Sequence, residues 1–386
     1  MKWKNKGHEF ERFRNVFTWH KKIYIYGAGE LGEDLYNRLK FVDCVEGFID
    51  NRKETCMGRR AVPITEFLEM GSRDYIVIIA AGFQNMNLFK HQLLVNGFEE
   101  GKNLFLYPEF INFYMPIYFM YAWDRLYVKV ISFLCTTKCN LNCISCLNFT
   151  SYNQKKKHYD IGQLKKDVDS FFSAIDYIDL FHVCGGEPFL YPHLAELLEY
   201  ISQNYSHQIH TLATTTNATI LPDDRLCRVM AENKISLYLD DYRENVPLVR
   251  EKYEGIKTKL EQYKIKVIDN YVDQWLNLLA EKDSEQKSSE KLALHFSACN
   301  VLFNSLHNEK IYLCNYSDYA VEAGIVQEHE NDSYSLTRFS DERRMELLEY
   351  MLGYSDRGYC ELCKKCKGFL TINTDYCEVA QQERKV

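Results

Sequence analysis

From residue 127 to about residue 268 the chain alternates short apolar runs with helical stretches, and no other feature constrains its fold as tightly. The runs that read as strands fall at 127–133, 177–183, 208–213, 235–239 and 264–268, with a sixth expected at 292–297. Helical patterns such as 194–201 and 248–263 lie between them. This grammar predicts an α/β curved parallel sheet or partial barrel of six βα units. In such a fold the chemistry belongs at the carboxyl ends of the strands.

A second, separate alternation comes earlier. A β-rich run at 22–26 turns through Gly27-Ala28-Gly29-Glu30-Leu31-Gly32 into a helical pattern at 33–39. A strand at 45–49 ends at Asp50, and 75–82 reads as a buried parallel strand. The aromatic stretch 111–123 is expected to be an irregular docking linker, and the charged, Ser-containing 281–291 a solvated helix end or loop. The lysines at 155–157 read as a solvated loop. The resulting division is 20–112, linker 113–126, 127–298 and a cysteine-dense 299–386.

At 386 residues the chain is long enough for two or three domains. Its net charge of −7 argues against a protein built to grip nucleic acid phosphates. The first residues are charged and polar, with no apolar signal region. The longest uncharged apolar stretch, 110–123, contains Pro116 and falls short of the roughly 20 residues a membrane span needs. A cytoplasmic location with no membrane partner is therefore expected, and a reducing cytosol disfavours disulfides. Of the 14 cysteines, only Cys44 and Cys56 precede Cys135. Metal or cluster binding in the later two-thirds follows as the leading reading.

Cys139, Cys143 and Cys146 sit just past the first strand of the second alternation, at spacings of four and three. Three thiolates can wrap one face of an iron–sulfur cube and leave one iron open; zinc, with Cys135 as a fourth thiolate, is the competitor. One βα unit later a strand runs into Cys184-Gly185-Gly186-Glu187-Pro188. Two glycines let backbone approach closely there, and a glutamate can accept hydrogen bonds from an ammonium group.

These two motifs, in this order and each after a strand, resemble those of the radical SAM superfamily. The resemblance implies that Cys139, Cys143 and Cys146 hold a [4Fe–4S] cluster whose open iron chelates S-adenosylmethionine. Gly185, Gly186, Glu187 and Pro188 would line the site of its amino group, and Ser236 and Asp240, with Asp241 beside them, would lie near its ribose. One electron would cleave the sulfonium to methionine and a 5′-deoxyadenosyl radical that abstracts hydrogen from substrate. A one-electron donor such as flavodoxin or ferredoxin is implied. Ser145 stands where relatives often carry an aromatic residue, and Thr216-Asn217-Ala218-Thr219 replaces a common Asn-Gly pair.

The later cysteines resemble a SPASM or twitch extension, a small Cys-rich auxiliary domain. On that resemblance Cys299, Cys314, Cys363 and Cys366 would bind a second [4Fe–4S] cluster, with Cys360 and Cys377 as candidates to replace or join them. Structural zinc is the alternative. The glycine fingerprint Gly27, Gly29, Gly32 with Asp50 matches a dinucleotide site. Its surroundings resemble the Rossmann-like domains found ahead of sugar acyltransferases, which implies NAD, a nucleotide-sugar or a purely structural role.

Together these features imply a radical SAM enzyme acting on a sugar, with a nucleotide-linked sugar favoured, in polysaccharide or secondary-metabolite assembly. Dehydrogenation and epimerisation are both open. Epimerisation requires a hydrogen donor, for which Cys135 and Cys184 are candidates. Peptide maturation is the alternative function, and a cluster-holding scaffold the third.

Overall fold

The computed structural model describes residues 1–71, 74–279, 288–299 and 303–383. Its chain divides into two compact units, His8–Tyr127, and Met1–Gly7 with Val128–Val386.

The first unit is a sheet of β1 (Ile23–Tyr26), β2 (Val45–Ile49), β3 (Thr55–Cys56), β4 (Arg59–Val62), β5 (Ile76–Ile79) and β6 (Leu104–Leu106). Its order is β3-β4-β2-β1-β5-β6. All neighbours are parallel except the β3–β4 pair. β1 and β5 are buried at every position, as a sheet covered on both faces requires.

The stretch expected to be an irregular linker is instead helical, a π turn at Phe110–Tyr114 leading into an α-helix at Met115–Trp123. Pro116 does not prevent this because it lies immediately after the π turn, where the regular α ladder is already interrupted. The aromatic rings are core rather than linker. Phe10, Phe13 and Phe17 pack on Phe113, Tyr114 and Tyr118 with ring centroids 5.5–6.0 Å apart.

The second unit is built on β7 (Tyr127–Thr136), β8 (Tyr177–Gly185), β9 (Ile209–Thr216), β10 (Ser236–Asp240) and β11 (Val267–Asn270). The β8–β9, β9–β10 and β10–β11 pairs are all parallel. Two of the helices between these strands start at a side-chain N-cap. The Asp160 carboxylate accepts from Gln163 N–H at 2.9 Å, and that of Asp223 from Leu226 N–H at 2.7 Å. Register places Val183 opposite Thr214, Leu239 opposite Thr216, and Asp240 opposite Asn270. The carboxyl ends of these strands therefore line one edge of the sheet.

A sixth strand does not form at 292–297. That segment lies in the α-helix Ser289–Ala298, capped by Ser288, whose hydroxyl accepts from Lys291 N–H at 3.3 Å. The run Leu292-Ala293-Leu294-His295-Phe296 imitates strand alternation. Burial shows the helical period instead, with Leu292 and Phe296 buried and Leu294 71 % exposed. Residues 281–287 lie outside those described. β12 (Gln274–Leu276), β13 (Asn304–His307), β14 (Lys310–Tyr312) and β15 (Ser333–Ser335) follow. β13 adds parallel to the free edge of β7, extending the sheet to the order β11-β10-β9-β8-β7-β13-β14-β15. A last strand, β16 (Tyr376–Glu378), pairs antiparallel with β12.

Candidate active site at the strand ends

The loop after β7 carries Cys139, Cys143 and Cys146, and the loop after β8 carries Gly185-Gly186-Glu187-Pro188. The two loops are fastened backbone to backbone, Gly186 N–H to Thr136 O at 2.8 Å and Glu187 N–H to Lys138 O at 2.9 Å. The glycines exist for this approach. A Cβ on Gly185 would stand 2.6 Å from Thr136 O, and one on Gly186 only 2.3 Å from Lys138 O. What the sequence reading assigned to a ligand's closeness is, at these two positions, the closeness of the cysteine loop.

Glu187 is fully buried at the junction of three strand ends. Its Oε1 accepts from Phe189 N–H at 3.0 Å and from the Thr216 hydroxyl at 2.9 Å, and its Oε2 from Asn217 N–H at 2.7 Å. Burial pushes its carboxyl up to about 7, against the pull of those donors. A carboxylate offers about four acceptor sites, so roughly one remains for a ligand. Asn217 continues the net, its amide donating to Asn140 Oδ1 at 3.1 Å and to the Cys139 sulfur at 3.7 Å. The turn that replaces Asn-Gly places Ala218 at φ +58°, where glycine would sit without strain.

The trio and the Gly185–Pro188 loop line one cavity of about 490 Å³, together with Asp240, Asn217, Cys184, His182, Ser132 and Asn315. Burial raises the free thiols of Cys139 and Cys143 to about 12, which a bound metal would offset. N–H groups already point at their sulfurs, from Leu141 to Cys139 at 3.4 Å and from the Gln382 side chain to Cys143 at 3.1 Å. Among the described residues no three His, Cys, Asp or Glu side chains stand close enough to share one metal ion. A closed zinc site takes four protein ligands, whereas three thiolates hold a cube and leave one iron open. The trio fits the larger group.

Not every residue named from sequence reaches the cavity. Ser236 opens β10 rather than ending it, about 13 Å along the strand from the Asp240 end at roughly 3.3 Å per residue. It is buried and is not a lining residue. Asp240 is in place, hydrogen-bonded to Asn270 at 2.6 Å and Tyr242 at 2.9 Å, and raised by burial to about 6. Asp241 is engaged by Arg243 through contacts of 2.8 and 2.7 Å. Cys135 is fully buried and does not line the cavity. Cys184 does, bonded to the Ser132 hydroxyl at 3.1 Å.

A second, smaller cavity is lined by Cys299, Cys314, Cys360, Cys363 and Cys366, so Cys360 joins the four expected. Cys377 does not; its thiol donates to Trp275 O at 3.5 Å. Tyr316 and Phe369, rings 5.6 Å apart, line both cavities.

Sequence reading missed His182, Asn315 and Gln382. His182 Nε2 and Asn315 Oδ1 are buried without a hydrogen-bond partner, and both residues line the large cavity. A signal existed for the first, a histidine two residues before Cys184 and hence on the same strand face.

In the first unit the three fingerprint glycines take distinct roles. Gly27 has φ +117° and its Cβ would meet Ala80 O at 2.4 Å; a Cβ on Gly32 would meet Gly27 O at 2.0 Å; Gly29, beginning the helix Glu30–Leu39, faces open space. Asp50 accepts from Ala28 N–H at 3.1 Å, Arg52 N–H at 2.8 Å and Lys53 N–H at 3.1 Å. Burial would raise its carboxyl, but these donors hold it below the usual value.

The family comparison bears on the second unit. Residues 133–274 match the family model described as the radical SAM superfamily. An uncharacterized protein of Methanocaldococcus jannaschii is 34% identical over 87 residues, which are 22% of this chain and 29% of that protein. The match thus spans under a third of that relative. Similar solved structures include anSMEcpe with bound AdoMet and Kp18Cys peptide, 14% identical over 66% of this chain and 93% of that one, with a TM-score of 0.41. BtrN in complex with AdoMet and 2-DOIA is 14% identical over 66% and 98%, with a TM-score of 0.39. Streptococcus suis SuiB bound to S-adenosylmethionine is 15% identical over 62% and 48%, with a TM-score of 0.32. Among the described residues no helix is long and apolar enough to cross a membrane. On the family match, this chain carries a radical SAM domain over residues 133–274, whose superfamily works with a [4Fe–4S] cluster and S-adenosylmethionine.

Proposed function

We propose that the chain is a radical SAM enzyme that abstracts hydrogen from a small polyhydroxylated substrate, a sugar or sugar-like ring, with net dehydrogenation or epimerisation as the outcome. The observation that carries the reading is the single cavity lined both by the cysteine trio and by Tyr316 and Phe369, which also line the five-cysteine cavity. When bound at Cys139, Cys143 and Cys146, the cluster and S-adenosylmethionine supply the hydrogen-abstracting 5′-deoxyadenosyl radical.

The chain's own part is positioning. Glu187 ties the ends of β8 and β9 together and keeps about one acceptor site for an ammonium group, while Asp240 presents a carboxyl at the end of β10. His182, Ser132 and Asn315, all lining the cavity, offer polar atoms to substrate hydroxyls. Cys299, Cys314, Cys360, Cys363 and Cys366 are proposed to hold a second cluster. We assign the first unit as a Rossmann-like domain whose Gly27–Gly32 turn takes NAD or a nucleotide-sugar. Cys184, on the cavity wall, is the remaining candidate hydrogen donor.

Anaerobic reconstitution tests the reading. Roughly eight irons per chain, falling to four in Cys363→Ala/Cys366→Ala, would support two cubes. Dithionite with S-adenosylmethionine should yield 5′-deoxyadenosine from the wild type and none from Cys139→Ala/Cys143→Ala/Cys146→Ala. Absence of 5′-deoxyadenosine from the iron-loaded wild type would overturn it. Turnover in deuterated water separates the outcomes, since solvent deuterium in product follows from epimerisation. Tight, saturable binding of a precursor peptide would favour peptide maturation instead.

A further inference from the structure

We infer that Gln382 is a positioning residue for the cysteine trio, clamping its loop and setting the electron affinity of whatever iron cluster Cys143 holds. The inference rests on reading Cys139, Cys143 and Cys146 as cluster ligands.

Beyond β16 the chain passes the buried Ala380, at φ +52°, and runs alongside the cysteine loop. Asn245 holds the approach by donating to Val379 O at 2.8 Å. Two backbone bonds then make a short antiparallel bridge, Ile144 N–H to Gln381 O at 2.8 Å and Glu383 N–H to Asn142 O at 2.9 Å. Side chains lock it. Asn142 N–H donates to Gln382 Oε1 at 2.8 Å, and the Asn142 amide donates to Glu383 at 2.6 Å.

The Gln382 amide is left one orientation. Its Nε2 donates both to Ala380 O at 2.6 Å and to the Cys143 sulfur at 3.1 Å. Turned over, its oxygen would face a carbonyl and a sulfur while its NH2 faced the Asn142 N–H, so three favourable contacts would become three unfavourable ones. A segment more than two hundred residues away in sequence thus aims a fixed N–H at one ligand of the trio.

An N–H donor on a ligating sulfur stabilises the more negative, reduced state of an iron–sulfur cluster and so raises its reduction potential. The amide, neutral and held from both sides, can do this without adding charge. It also shields the sulfur of a residue already 7% exposed.

The test uses the full chain reconstituted anaerobically, wild type beside Gln382→Met and Gln382→Glu, titrated with dithionite and followed by electron paramagnetic resonance. The signal read is the one that changes on adding S-adenosylmethionine, which singles out the trio's cluster from any second one. Gln382→Met removes the donor at nearly equal volume; Gln382→Glu keeps an acceptor for Asn142 N–H but places a negative charge at the sulfur. Both should retain wild-type iron, with a midpoint potential lowered in Gln382→Met and lowered further in Gln382→Glu. Full iron with an unchanged midpoint in Gln382→Met overturns the inference, and so does loss of iron from both variants, which would make the amide a strut alone. Iron content untouched by Cys139→Ala/Cys143→Ala/Cys146→Ala would instead defeat the cluster assignment beneath it.

Discussion

Gly186→Ala isolates the contact on which the site depends. The added Cβ would lie 2.3 Å from Lys138 O, 2.6 Å from its carbonyl carbon and 3.0 Å from the Cβ of Cys139, all of them backbone or Cβ atoms with no flexible end to swing aside. Reaching even 3.0 Å demands a shift of about 0.7 Å, which stretches the bonds from Gly186 N–H to Thr136 O and from Glu187 N–H to Lys138 O. Overpacking of this kind costs about 1–3 kcal/mol and each lost hydrogen bond about 0.5–1.5, so the expected loss is about 2–6 kcal/mol. At a urea m-value of about 2 kcal/mol/M, the midpoint should fall by about 1–3 M. The same substitution at Gly255, exposed within the helix Pro247–Gln262 with no atom near its added Cβ, should raise stability by about 0.5–1 kcal/mol. Urea unfolding of the two metal-free variants by circular dichroism, with iron counts after reconstitution, reads both effects. A Gly186→Ala protein that unfolds at the wild-type midpoint and takes up wild-type iron would refute the packing argument.

Glu187→Gln turns one acceptor into an NH2 facing a donor among Phe189 N–H, the Thr216 hydroxyl and Asn217 N–H, and should cost about 1–3 kcal/mol in the same urea assay. His182 is held by burial at about 4, below its ordinary value of 6.5. The unfolded chain therefore binds a proton between those values that the native chain refuses, so this contribution is complete above pH 6.5 and is lost as pH falls toward 4. Between pH 7 and 4.5 it amounts to about 2–3 kcal/mol, and His182→Gln should flatten that part of the stability profile. In the first unit, Gly27→Ala combines a φ of +117° with a Cβ 2.4 Å from Ala80 O and should cost about 2–4 kcal/mol, whereas Gly29→Ala, with open space around it, should stay within about 1 kcal/mol of wild type by thermal unfolding.

The parts of this site legible in the sequence are those whose chemistry is local. Three thiols at a spacing of four and three, or two glycines before a glutamate, carry their meaning within eight residues, and each lies at the carboxyl end of a strand marked by its apolar run. Segment 292–297 misled because its leucines and phenylalanine fit two periods at once. Only the partner surface, which buries Leu292 and Phe296 and leaves Leu294 in water, selects the helix. Ser236 and Cys135 were plausible by proximity in sequence, but direction along a strand decided against the first and burial away from the cavity against the second. Asn315 and Gln382 gave no local signal, because their meaning is supplied by residues from distant parts of the chain. Even the legible motif changes meaning on folding. Gly185 and Gly186 read as room for a ligand, yet the atoms that occupy the room are Thr136 and Lys138, so the glycines bring the cysteine loop up to the strand end. A motif names the residues a chemistry needs; the close contacts among them say which serve the ligand and which serve each other.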